Sequence, residues 1–269
     1  MRCIIEPLTF SLLDDIALGL QSKSLTPADL PPVRAELLGP LIEWSHAQPV
    51  NPTGSNGWLD PRGFASMLES LRTKDKWFAP GAASHGFVTA RAIADCHTNW
   101  TDFAMRAKRA ATAHGFTADE AGRLVAAMGE FHSNILEHSG RADTGYVVFD
   151  GSPGCFEFVV ADSGIGVLES LRSNPHFASL KDGGTALELA LSEGVSRHYE
   201  QKDRGFGFRP LFVGLANVSR FMRFRSADHS RELTRADDGS IYAVTRQKSQ
   251  LTGFLCSVRC EPEDSSRKA

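Results

Sequence analysis

The chain has 269 residues, 42% of them hydrophobic, enough to bury a sizeable core in one large domain or in a domain with a smaller partner. Its formal net charge of −3 argues against a broad nucleic-acid-binding surface. No stretch is apolar for long enough to span a bilayer, no export signal opens the chain, and the five cysteines form no C-x-x-C pair, so a cytoplasmic protein without disulfides, structural zinc or membrane contact is expected.

In chain order, Arg2 to Glu6 reads as a short strand, and Leu12, Leu13, Ile16 and Leu20 give Phe10 to Leu20 helical spacing. Val33 to Ala47 suggests a helix interrupted near Pro40, Pro49 to Gly57 a loop, and Pro61 to Phe78 another helix. Ala79 to Gly86 is the natural boundary. Residues 1–90 are therefore predicted to be a helix-rich accessory or interaction segment, because they carry no nucleotide, metal or nucleophile signature.

Trp100 to His114 follows as an amphipathic helix stopped by Gly115. Thr117, with Glu120 three residues on, forms a capping box for the next helix, Thr117 to Ser139. On that helix Leu124, Met128, Phe131 and Ile135 make a narrow core stripe, and Glu130, Asn134 and His138 line its edge at every fourth residue. A solvated helix edge would look the same. Tyr146 to Phe149 and Cys155 to Ala161, separated by Asp-Gly-Ser-Pro-Gly, predict an antiparallel hairpin. Helical patterns return at Val167 to Arg172, Thr185 to Ser192 and Arg209 to Val218, and strands are expected at Phe221 to Ser226, Ile241 to Arg246 and Leu251 to Arg259. Helices on one face of a mixed, mostly antiparallel sheet make an α+β two-layer sandwich over residues 91–262, with 263–269 a polar tail.

Three short motifs then fall in one order. E-x-x-x-N is Glu130 to Asn134, D-x-G-x-G is Asp162, Gly164 and Gly166, and G-x-G is Gly205 and Gly207 after Arg204. In this order they resemble the N box and the two glycine boxes of the GHKL superfamily of ATP-binding domains, over roughly residues 100 to 260. The resemblance implies ATP and magnesium as cofactors. It implies Asn134 as the magnesium ligand, Glu130 as general base for a water or a protein hydroxyl, and Asp162 as acceptor for the adenine amine. Gly164 and Gly166 would let backbone approach the base, and Gly205, Gly207 and Arg204 would face phosphate. His138 matches the third position of the E-x-x-x-N-x-x-x-H form of anti-sigma kinases, while a cap on the helix dipole is its rival reading.

Some features depart from the family. Glu137 stands where histidine kinases carry a basic residue, and no histidine here is followed by Glu or Asp, so histidine autophosphorylation is disfavoured. The family's Gly-Thr appears as Thr252-Gly253, and Thr252 is placed in the adenine site on that basis. The expected function is a magnesium–ATP-binding signalling domain, nearest to an anti-sigma-factor serine/threonine kinase acting on a regulatory protein partner. A non-catalytic nucleotide-gated switch, an ATPase coupled to conformational change, and a homodimer stay open.

Overall fold

A computed structural model of the protein describes residues 5–48, 57–81, 84–191, 215 and 219–263. The chain opens with short pieces. Strands β1 (Glu6–Pro7), β2 (Val33–Arg34) and β3 (Leu59–Asp60) form a small parallel sheet beside helices α1 (Phe10–Gln21), α2 (Leu38–Ala47) and α3 (Ala65–Leu71). Thr9 caps α1 by accepting the Leu12 N–H at 3.2 Å.

Two expectations here are corrected. The helix read from Val33 to Ala47 begins only at Leu38, so Pro40 lies in its first turn, where a missing N–H leaves no bond unmade and no interruption results. The helix read from Pro61 to Phe78 is confined to α3. Lys76–Phe78 is strand β4, drawn into extended form by pairing with β5 (His85–Thr89), where Trp77 opposes Phe87. The boundary expected at Ala79 to Gly86 thus falls inside a hairpin, and β4 and β5, which precede residue 90, belong to the main sheet.

That sheet is antiparallel throughout, ordered β4-β5-β6-β7-β9-β8, with β6 Tyr146–Ser152, β7 Cys155–Asp162, β8 Ser219–Arg235 and β9 Ile241–Cys260. The three late strands predicted from sequence are two long ones, and the far ends of β8 and β9 continue beyond the sheet as a paired arm. Helices α4 (Ala90–Asp95), α5 (Thr98–Ala113), α6 (Ala118–His138), α7 (Gly166–Arg172) and α8 (Gly183–Ala190) complete the described elements. The capping box forms as expected, the Thr117 hydroxyl accepting the Glu120 N–H at 3.2 Å and the Glu120 carboxylate accepting the Thr117 N–H at 2.6 Å. Of the predicted helix over Arg209 to Val218 only Leu215 is among the described residues, buried in the core. Among those described, no helix is long and apolar enough to cross a membrane.

The period of two along the strands decides the layers. Val147, Phe149, Phe156, Phe158, Val160 and Phe224 face α5 and α6, where they join Phe103, Leu124, Met128, Phe131 and Ile135 in one apolar core. The alternate residues Phe87, Val148, Val159, Ala161 and Leu255 face the other way and pack against Leu13, Ile16, Leu38, Leu41 and Met67. The fold is α+β, with helices on a six-stranded antiparallel sheet, and the N-terminal segment covers the sheet face that a two-layer sandwich would leave open.

Candidate functional site

Helix α6 runs along the sheet toward the end of β7, and its last turn is tied to the loop that follows that strand. Ile165 N–H donates to the Ser139 carbonyl at 2.8 Å, and Ser163 N–H donates to the Thr144 hydroxyl at 2.9 Å. Gly164 lies so close to Ser139 that an added Cβ would sit 2.0 Å from its carbonyl oxygen. The absent side chain is what permits this approach. Asn134 and His138, both half-buried, occupy the last two turns of α6, about 6 Å apart along its axis. They therefore share an end of the sheet with Asp162, Gly164 and Gly166.

Asp162 is the most enclosed polar group there, at 2% exposure. Its Oδ1 accepts the Gly164 N–H at 2.8 Å, an Asx turn that any surface loop could use. Burial sets it apart from an ordinary turn. No described cation pairs with it, and desolvation pushes its carboxyl up to about 6, with the Gly164 bond opposing that rise. A carboxylate held dry with acceptor capacity to spare is chemically suited to a neutral N–H donor such as an exocyclic amine.

Gly166 adopts φ +75° at the start of α7, and an added Cβ there would meet the Ser226 hydroxyl at 2.8 Å. That hydroxyl accepts the Val167 N–H at 2.9 Å and donates to the Gly253 carbonyl at 3.0 Å. Gly253 itself has φ +77° and presses on the Asp162 carbonyl, where no Cβ would fit. So the first glycine box is held from three sides: by backbone at the end of α6 and in β9, and by the Ser226 hydroxyl of β8.

Thr252 is exposed, and its recorded contact is through its carbonyl, which lies 3.1 Å from His46 Nε2 of α2. His46 Nδ1 lies 3.0 Å from the Tyr146 hydroxyl. A carbonyl can only accept, so Nε2 carries the proton and Nδ1 accepts from Tyr146. Burial lowers the His46 pKa, in keeping with that neutral tautomer. Glu130 is exposed on α6, and no described residue hydrogen-bonds or ion-pairs with it. Arg204, Gly205 and Gly207 lie outside the described residues.

Sequence reasoning did not single out Ser139, Thr144, Ser226 or His46, and it quoted Gly253 only as the neighbour of Thr252. Of these, Gly253 had a visible signal, a glycine between two strand-forming runs. The others are recognisable only by what they touch.

The amide of Asn134 offers one hard oxygen of the kind magnesium accepts, and the dry Asp162 carboxylate offers an acceptor of the kind adenine needs, so the residues present fit magnesium–ATP. The α+β fold, with a long helix ending beside a D-x-G-x-G loop, is consistent with a GHKL-type fold. Residues 96–207 match the family model described as histidine kinase-like ATPase domain, and this part of the chain is such a domain, of the GHKL type. No curated protein matches the chain.

Proposed function

We propose that the domain binds magnesium–ATP beside the end of α6 and acts as a protein serine/threonine kinase of the anti-sigma-factor type. The observation that carries the nucleotide half is the buried Asp162 carboxylate, without a described cation, on a loop bonded to the end of α6. Asn134 would hold the metal through its amide oxygen, Gly164 and Gly166 would shape the base pocket, and Glu130 would take the proton from an acceptor hydroxyl. Magnesium, bound with the nucleotide, supplies charge neutralisation along the phosphates.

The test is nucleotide titration with and without magnesium. Asn134→Ala should weaken ATP binding about tenfold or more with magnesium and much less in EDTA, in line with loss of one hard-oxygen ligand; equal losses remove Asn134 from the metal site. Asp162→Asn should erode the preference for ATP over GTP, and unchanged discrimination removes Asp162 from the base pocket. Because a protonated Asp162 no longer offers a charged acceptor, ATP affinity should fall as pH drops through about 6.

One observation favours a second reading, a nucleotide-gated switch. His46 of the N-terminal layer touches Thr252, next to the Gly253 that braces Asp162, so changes at the base pocket have a short physical route into that layer. Labelled phosphate appearing on a partner protein, and lost in Glu130→Ala with ATP affinity retained, supports the kinase. Partner binding that follows nucleotide state equally in wild type and Glu130→Ala supports the switch.

A further inference from the structure

On the sheet face turned toward the N-terminal segment lies a cavity of about 360 Å³, bounded by the first turn of α1, the start of α2, and strands β7, β8 and β9. Its volume is within the range of small-molecule sites. One side is apolar, with Phe10 and Phe221 packed ring on ring at 5.4 Å. The rest carries charge.

The carboxylates in that wall are already engaged. Asp14 is held by Arg223 at 2.5 Å and by Lys248, Glu232 by Arg223 and by Arg246 at 3.4 Å, and Glu157 accepts the Leu38 N–H at 2.6 Å at the start of α2. Arg259 is held less tightly, beside the Cys155 thiol and Glu157. Its Nε is buried without a hydrogen-bond partner, and its nearest carboxylate, Glu157, is 3.9 Å away. The first turn of α1 has no acidic residue to balance the positive end of its dipole, and the exposed Ser11 there lines the cavity.

We propose that this cavity is a binding site for a small organic anion, its charged head on Arg259 and Arg246 and its apolar body against Phe10 and Phe221. The site is separate from the nucleotide cleft and stands whether or not ATP binds there. A head of this kind could be a carboxylate or a phosphate ester, and both meet the same guanidinium chemistry.

The experiment uses the full chain, titrated separately with benzoate, phenyl phosphate and inorganic phosphate, and followed by ligand-observed NMR and thermal unfolding. Benzoate or phenyl phosphate should saturate, and inorganic phosphate should bind far more weakly because it has no apolar body. Ser11→Glu puts a carboxylate at the mouth, in a first-turn position that the helix dipole favours. It should weaken the organic anion about tenfold or more without lowering the unfolding midpoint. Arg259→Gln should give a comparable loss. Failure of both organic probes to saturate at millimolar concentration, equal binding of inorganic phosphate, or unchanged affinity in both variants would overturn the proposal.

Discussion

On the α6 side of the sheet, Phe131 meets Phe158 and Phe224 with ring centroids 6.2 and 6.1 Å apart. On the opposite side, the two residues flanking Phe224 in β8 are Arg223 and Arg225, fully or almost fully buried and paired with Glu43 at 2.8 and 2.9 Å, Arg223 reaching Asp14 as well. One strand therefore contributes to two unlike interfaces. Apolar contact is non-directional, so the helix side tolerates small shifts in how α5 and α6 sit. The N-terminal side does not have that tolerance, because each guanidinium must meet named carboxylates on α1 and α2 to offset its desolvation. Burial acts against the Arg225 charge, lowering its pKa, whereas the acids around Arg223 hold its proton more firmly despite burial.

The sharpest way to break this comparison is Arg223→Met. It takes one guanidinium from three acids at once, leaving Asp14 to Lys248, Glu43 to Arg225 and Glu232 to the distant Arg246, and a loss of about 3–5 kcal/mol is expected in chemical denaturation. Hydrogen exchange should show α1 and α2 losing protection before α5 and α6; uniform loss would mean that the two faces are not energetically distinct. Met128→Ala, on the apolar side, should cost about 3 kcal/mol by leaving a cavity, with α5 and α6 affected first.

A pH series gives the next effect. Asp150 sits opposite Glu157 across β6 and β7 on the N-terminal side, and burial, with the Glu157 charge second, pushes its carboxyl up to about 7. The folded state thus binds this proton more tightly than the unfolded chain does. Its contribution is complete below about pH 4 and is lost as pH rises through about 7, a swing of about 2 kcal/mol after discounting for coupling to Glu157. Asp150→Asn should flatten that slope, and an unchanged slope would assign it to other groups. The smallest effect belongs to Glu157→Gln, which keeps an acceptor for the Leu38 N–H but removes the charge from the α2 N-terminus. About 1 kcal/mol or less is expected, read from the denaturation midpoint.

How far each part could be read from sequence follows the distance over which its cause acts. The capping box at Thr117 and Glu120 spans three residues, and the core stripe of α6 repeats within two turns, so helix, boundary and facing side were all legible. The Asp162 loop was legible as a motif for the same reason. Its support was not, since Ser139, Ser226 and Gly253 are remote in the chain and ordinary in type. Trp77 and Phe78 read as the end of a helix because apolar spacing over so short a run is ambiguous, and pairing with β5 decided the matter. Phe221 to Ser226 read as a strand, but alternation alone does not say what covers the side that carries Arg223 and Arg225.

The order of amino acids by itself determined the helices with complete local signals, the hairpin of β6 and β7, and the presence of a histidine kinase-like ATPase domain. Periodicity, capping and turn chemistry act between near neighbours. Only the tertiary structure decided that the polar side of β8 is an interior, because the acids that make burial of Arg223 tolerable stand 180 and 209 residues earlier, on helices whose position no local rule specifies.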